Sequence, residues 1–254
     1  MKQRPPSTVQ IGKFFKLIIP PLAILAVGII AILGFLVYRI SNPGAVSESV
    51  DPSHCLLPSL DVSMPVAKGD EIPAWWIPGL KGAPGIILAP GYGMSRSDAL
   101  SLAVALHENG FNILIYDQRG NGASPRGACT LGLYEDADMV SAVEFLRGRP
   151  ESNLKRIGIW GVDIGALAAL KAAADIPEIR AIAADSVFQS PSDFLSDRIE
   201  ADFGLSSRFV QFGCCQIFKL SHVMGSLSYK EELPLQAISD RSILFIKGEN
   251  RRKL

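Results

Sequence analysis

The sequence predicts an α/β protein, a mostly parallel sheet with helices on both faces, preceded by one transmembrane helix. Three observations carry this. Short apolar runs alternate with longer helical patterns from Gly85 to Gly248, as parallel strands joined by crossover helices require. An uncharged apolar run extends from Leu17 to Tyr38 and, at about 1.5 Å rise per residue, covers the roughly 30 Å of a hydrocarbon core. A glycine-bracketed turn, Gly161-Val162-Asp163-Ile164-Gly165, stands where one strand gives way to a helix.

The elements follow in chain order. Residues 1–16 are basic, and 17–38 form the membrane helix, with Pro20 and Pro21 near its start, where missing backbone donors cost least. A cleavable signal peptide competes with this anchor, but its apolar region normally spans about 7–15 residues before an A-x-A-like site. The segment YRISNPGAV offers no clear one. Lys2, Arg4, Lys13 and Lys16 precede the span, whereas only Arg39 follows it before Lys68. The positive-inside rule then places the N-terminus in the cytoplasm and the rest beyond the membrane.

Residues 39–58 are turn-rich and aperiodic, a linker lifting the domain off the bilayer. The folded domain covers 59–254. Val62–Val66 and Ile72–Ile77 are two strands about the turn Lys68-Gly69-Asp70. Gly85–Ala89 is a strand buried on both faces, followed by a helix closing at Gly110. Strand Phe111–Asp117 then leads to a helix over 133–148, strand Arg156–Gly161 to a helix over 164–175, and strand Ile179–Ser186 to a cap-like helical segment over 188–236. Ser242–Gly248 is the last strand visible. Chemistry in such sheets sits at the carboxyl ends of the strands.

Composition narrows the function. Of 254 residues 48% are hydrophobic and 20% charged, and 25 basic residues cancel 25 acidic ones, which excludes a generic nucleic-acid partner. The four cysteines, Cys55, Cys129, Cys214 and Cys215, face a compartment where disulfides persist. They allow three pairings, with adjacent Cys214 and Cys215 a strained one, and free buried thiols are the simpler reading. The histidines His54, His107 and His222 form no metal-ligand spacing with them. No metal and no cofactor are expected.

With Gly161 to Gly165 shaped as a nucleophile elbow, the sequence resembles the α/β-hydrolase superfamily, in particular its membrane-anchored esterase- or peptidase-like branch. The resemblance covers Leu60 to Asn250. It rests on Gly91, the run Asp117-Gln118-Arg119-Gly120-Asn121-Gly122-Ala123-Ser124, Leu131-Gly132 with Glu135 and Asp138, and the elbow. It implies that Asp163 occupies the nucleophile position and that the backbone amides of Tyr92 and Ile164 form an oxyanion pocket for a small-molecule substrate.

Three departures from the family pattern follow. Asp163 replaces serine; aspartate nucleophiles occur in relatives resembling haloalkane dehalogenases and epoxide hydrolases, but aspartate also holds a left-handed turn at a helix N-terminus without catalytic duty. The acid position after the seventh strand falls on Arg251, leaving Asp185 as a substitute acid or as a mere strand-end cap. The family's histidine follows an eighth strand, and this sequence reaches Leu254 before one. His222 is a candidate displaced base, and His107 an ordinary helix residue. Arg119 is expected to pair with Asp117 or Glu135.

The resulting expectation is a membrane-anchored hydrolase-fold protein, degenerate or truncated and without turnover. The alternatives are an active hydrolase of esters, amides or other small substrates using Asp163, and a protein- or lipid-binding module presenting the aromatics between Phe188 and Leu233.

Overall fold

The computed structural model describes residues 8–44, 50–66, 70–124, 128–150, 152–223, 233 and 235–247. Its centre is a seven-stranded sheet in the order β1-β2-β4-β3-β5-β6-β7. The strands are β1 (Leu60–Pro65), β2 (Glu71–Ile77), β3 (Ala83–Ala89), β4 (Asn112–Tyr116), β5 (Ser152–Val162), β6 (Ile179–Asp185) and β7 (Ser242–Ile246). β1 and β2 are antiparallel to their neighbours, and every pairing from β4 to β7 is parallel. β4 is buried at all five positions, as a strand covered on both faces must be.

The chain passes from β3 outward to β4 and returns to the other side of β3 as β5. Connections therefore leave the carboxyl ends of β3 and β5 in opposite directions and open a crevice between them. The loop after β3 carries Tyr92, and the turn after β5 carries Asp163.

Helices α3 (Glu135–Arg147) and α4 (Ile164–Asp175) cover one face of the sheet, their inward residues packing with Ile87, Leu114 and Ile159. Helix α2 (Leu100–Glu108) covers the other, against Trp75, Leu88 and Ile113. A third cluster lies beyond the strand ends. It joins Leu33, Leu36, Val37 and Ile40 of the N-terminal helix α1 (Thr8–Ser41) to Phe194 of α5 (Pro191–Phe203), Phe218 of α6 (Arg208–Val223), and Ile164 and Leu167 of α4.

Helix α1 exceeds both limits read from the sequence. It begins at Thr8, with Pro20 and Pro21 inside it, because proline's fixed φ is helical and only its missing donor is lost. At the other end it runs into the stretch expected to be linker, and Cys129 N donates to Ser41 O at 2.8 Å. Lys16–Ser41 is long and apolar enough to cross a membrane. The expected turn at Lys68-Gly69 lies outside the described residues. All four cysteines are free thiols.

Candidate active site

The elbow is built by close approach. A Cβ on Gly165 would stand 2.3 Å from Ala89 O, and one on Gly161 2.5 Å from Gly165 C. Only glycine lets α4 start this near β3 and β5. Between them Asp163 adopts φ 39°, ψ −101°, a backbone that costs a non-glycine residue on the order of 1–3 kcal/mol. The tight turn aims its side chain at the crevice, and Asp163 is 8% exposed.

One oxygen of that side chain collects both nominated amides. Tyr92 N donates to Asp163 Oδ1 at 3.3 Å, and Ile164 N donates to the same oxygen at 3.1 Å. The carboxylate also sits at the N-terminus of α4, where the helix dipole favours negative charge. The loop after β3 is shaped around it, since a Cβ on Gly91 would lie 2.7 Å from Asp163 Oδ1. Gly93 N is held by Asn121 Oδ1 at 2.7 Å.

Tyr92 is also the joint between this crevice and α1. Its hydroxyl donates to Ile40 O at 2.7 Å, its ring meets Phe194 edge-on at 5.4 Å, and the Arg198 guanidinium lies 4.8 Å from its centroid. Burial pushes the Tyr92 phenol well above its usual value. A cavity of about 410 Å³ opens beside it, lined by Arg39, Pro43, Tyr92, Gly93, Arg198, Asp202 and Phe203.

Of the other sequence candidates, Asp185 lies beside the elbow, and the described histidines do not. Asp185 ends β6 and accepts from Ser186 Oγ at 2.7 Å, while its carbonyl receives Asp163 N at 3.0 Å. Its backbone supports the elbow. His107 Nε2 lies 3.2 Å from Pro78 O, and Pro78 follows β2, whose end pairs with Ile113 near the start of β4. That is the amino end of the parallel strands, opposite Asp163. His54 pairs with Asp51 at 3.2 Å on the surface. The side chain of His222 and the whole of Arg251 lie outside the described residues.

Arg119 pairs with neither expected partner. Its Nε donates to Asp138 Oδ2 at 2.6 Å, and Nη2 to Oδ1. Asp117 is engaged by Arg96 N at 2.7 Å and Ala123 N at 3.1 Å, and Glu135 by its own loop. The fork of the guanidinium matches the carboxylate one helical turn into α3, which spacing along the sequence does not single out. Burial nonetheless pushes the Asp138 carboxyl above its ordinary value. Sequence reasoning missed Lys171, whose Nζ donates to Gly132 O at 2.7 Å and whose pKa burial lowers. It also missed the docked end of α1. Among the described residues no cluster of His, Cys, Asp or Glu could hold a metal ion.

Comparison with known proteins matches residues 84–213 to the family described as alpha/beta hydrolase fold. The chain is 33% identical over 119 residues to an uncharacterised Mycobacterium tuberculosis protein, covering 46% of this chain and 42% of that one. It is 30% identical over 159 residues to a polyketide transferase of Gibberella fujikuroi, covering 60% and 48%. It is also 30% identical over 115 residues to a thiohydrolase of Arthrinium phaeospermum, covering 44% and 37%. The chain thus spans less than half the length of these relatives. Among solved structures, an esterase of Pyrococcus furiosus superimposes with TM-score 0.60 at 23% identity, over 81% of this chain and 76% of that one.

Proposed function

The chain belongs to the alpha/beta hydrolase fold family, and from that premise we propose a membrane-anchored member in which Asp163 closes the elbow instead of turning over acyl substrates. The observation that carries this is the pair of amides on one Asp163 oxygen. Acyl transfer needs such amides aimed at the developing oxyanion of the substrate. Here an anionic side chain engages both, so a substrate oxygen would have to displace charge-assisted hydrogen bonds and then sit beside a negative charge. The relatives' names mark what chemistry the fold hosts: esterase, polyketide transferase and thiohydrolase.

The experiment treats the full chain and its Asp163→Ser variant with a fluorophosphonate probe and with p-nitrophenyl esters. Neither protein is expected to label or to exceed background hydrolysis, because a serine hydroxyl is a poor nucleophile until a base takes its proton, and neither described imidazole, His54 or His107, lies at the elbow. Turnover of esters by the unaltered chain overturns the reading.

One observation favours a second reading. With Oδ1 held by two amides on a strained elbow, the carboxylate is also oriented as a nucleophile would be. Attack by the carboxylate on an epoxide or haloalkane carbon forms an aspartyl ester as the carbon–oxygen or carbon–halogen bond breaks, and water later hydrolyses it. A mass adduct on Asp163, or turnover abolished by Asp163→Asn, establishes this route in place of the first.

The anchor is α1, crossing the bilayer once with the N-terminus cytoplasmic, as the basic residues before Leu17 favour. Protease added outside spheroplasts is expected to digest the domain and spare the first residues. Protection of the domain reverses the topology.

A further inference from the structure

Helix α6 carries two apolar faces, and among the described residues only one of them is covered. Cys214 and Phe218 point into the cluster beneath it. On the opposite side Phe209 is 72% exposed, Phe212 63% and Leu220 63%. With Gln216 these positions follow one another at steps of three and four residues, so they form a single stripe. The helix holds Arg208 and Lys219 and no acidic residue.

The neighbour of α6 determines what that stripe meets. Leu33 of α1 lies over Gly213, where a Cβ would come within 2.7 Å of Leu33 Cδ1, and Cys214 Sγ approaches Leu33 O at 3.8 Å. Leu33 falls six residues before Arg39, which at helical rise is about 9 Å toward the membrane interior from that charge. The other side of α1 stays exposed and apolar at the same height, with Ile32 at 62% and Phe35 at 58%. A bilayer that covers Phe35 reaches the level of the Leu33–Gly213 contact, and therefore the middle of α6.

We infer that the exposed face of α6, carried by Phe209, Phe212 and Leu220, lies in the headgroup boundary of the same bilayer that α1 crosses. The inference rests on the membrane-crossing reading of α1. Lipid is the occupant because the stripe is exposed on a helix that meets α1 at the level where Ile32 and Phe35 are exposed and apolar, and because a basic, acid-free helix suits anionic headgroups. The depth agrees with the roughly 5–10 Å to which interfacial helices sink their apolar side. The domain is then held against the membrane at two places, which fixes the end of α1 over Tyr92 and orients the adjacent cavity.

The test uses the full chain in vesicles of phosphatidylcholine with a minor share of phosphatidylglycerol. Photoreactive p-benzoylphenylalanine replaces Phe209 or Phe212 on α6, Phe35 on α1, or Asn109 at the far end of the sheet. After illumination, the expected result is lipid mass on the peptides carrying residues 35, 209 and 212, and none on that carrying 109. A lipid adduct at 35 with none at 209 and 212 overturns the inference and leaves α1 in the bilayer. Adducts from 209 or 212 to the same chain or to a second copy overturn it in favour of a protein occupant. No lipid adduct at 35 overturns the membrane-crossing reading and this inference together.

Discussion

Glu135, entering α3, and Asp163, entering α4, are both buried carboxylates fed by main-chain amides, and the turns beneath them are strained in different places. Glu135 accepts from Thr130 N and Thr130 Oγ1 at 2.7 Å each, from Gly132 N at 2.8 Å and from Tyr134 N at 3.3 Å. The left-handed residues of its loop are Leu131 and Gly132, so the acid itself is relaxed. Asp163 receives its two amides while bearing the positive φ itself. The first carboxylate knits a loop together. The second is presented at the strand ends, as a side chain must be if it is to meet anything beyond its own turn. Charge and burial alone do not separate these roles; the residue that carries the strain does.

Three substitutions break or sharpen this contrast. Glu135→Ala leaves several buried donors without an acceptor, and about 3–5 kcal/mol of stability should be lost. Thermal melting of the full chain in detergent measures it, and a change below that of the elbow variants would remove the distinction. Gly165→Val forces the start of α4 away from Ala89, with an expected loss of about 1–3 kcal/mol. An unchanged melting temperature would mean that the elbow is not clamped between β3 and α4. Asp163→Asn keeps an acceptor oxygen and a residue type tolerant of positive φ, so its effect should stay within about 1 kcal/mol. A loss as large as that of Glu135→Ala would make Asp163 a loop-knitting carboxylate of the same kind.

Much of this was legible along the chain. The strands from β3 to β7 and the helices between them follow from apolar periodicity, and the elbow from two glycines around a strand end. The start of α1 was not legible, because Lys13 and Lys16 bound the uncharged run at Leu17, which limits a membrane span and not the helix that carries it. The partner of Arg119 was not legible either. Asp117, Glu135 and Asp138 are equally acidic in sequence, and only the placement of α3 over the sheet selects Asp138.

The sequence by itself determined the apolar helix, the α/β alternation and the residue at the elbow, since each depends on neighbours within a few positions. The tertiary structure alone decided that β5 returns beside β3 and that Leu33 meets Cys214 across 181 positions of chain, whereas the approach of Tyr92 N to Asp163 across 71 positions was implied by the family resemblance and by no local pattern. Local propensity says which face of an element is apolar. It carries no information on which distant backbone amide or helix will cover that face, because the selection comes from packing all the faces at once.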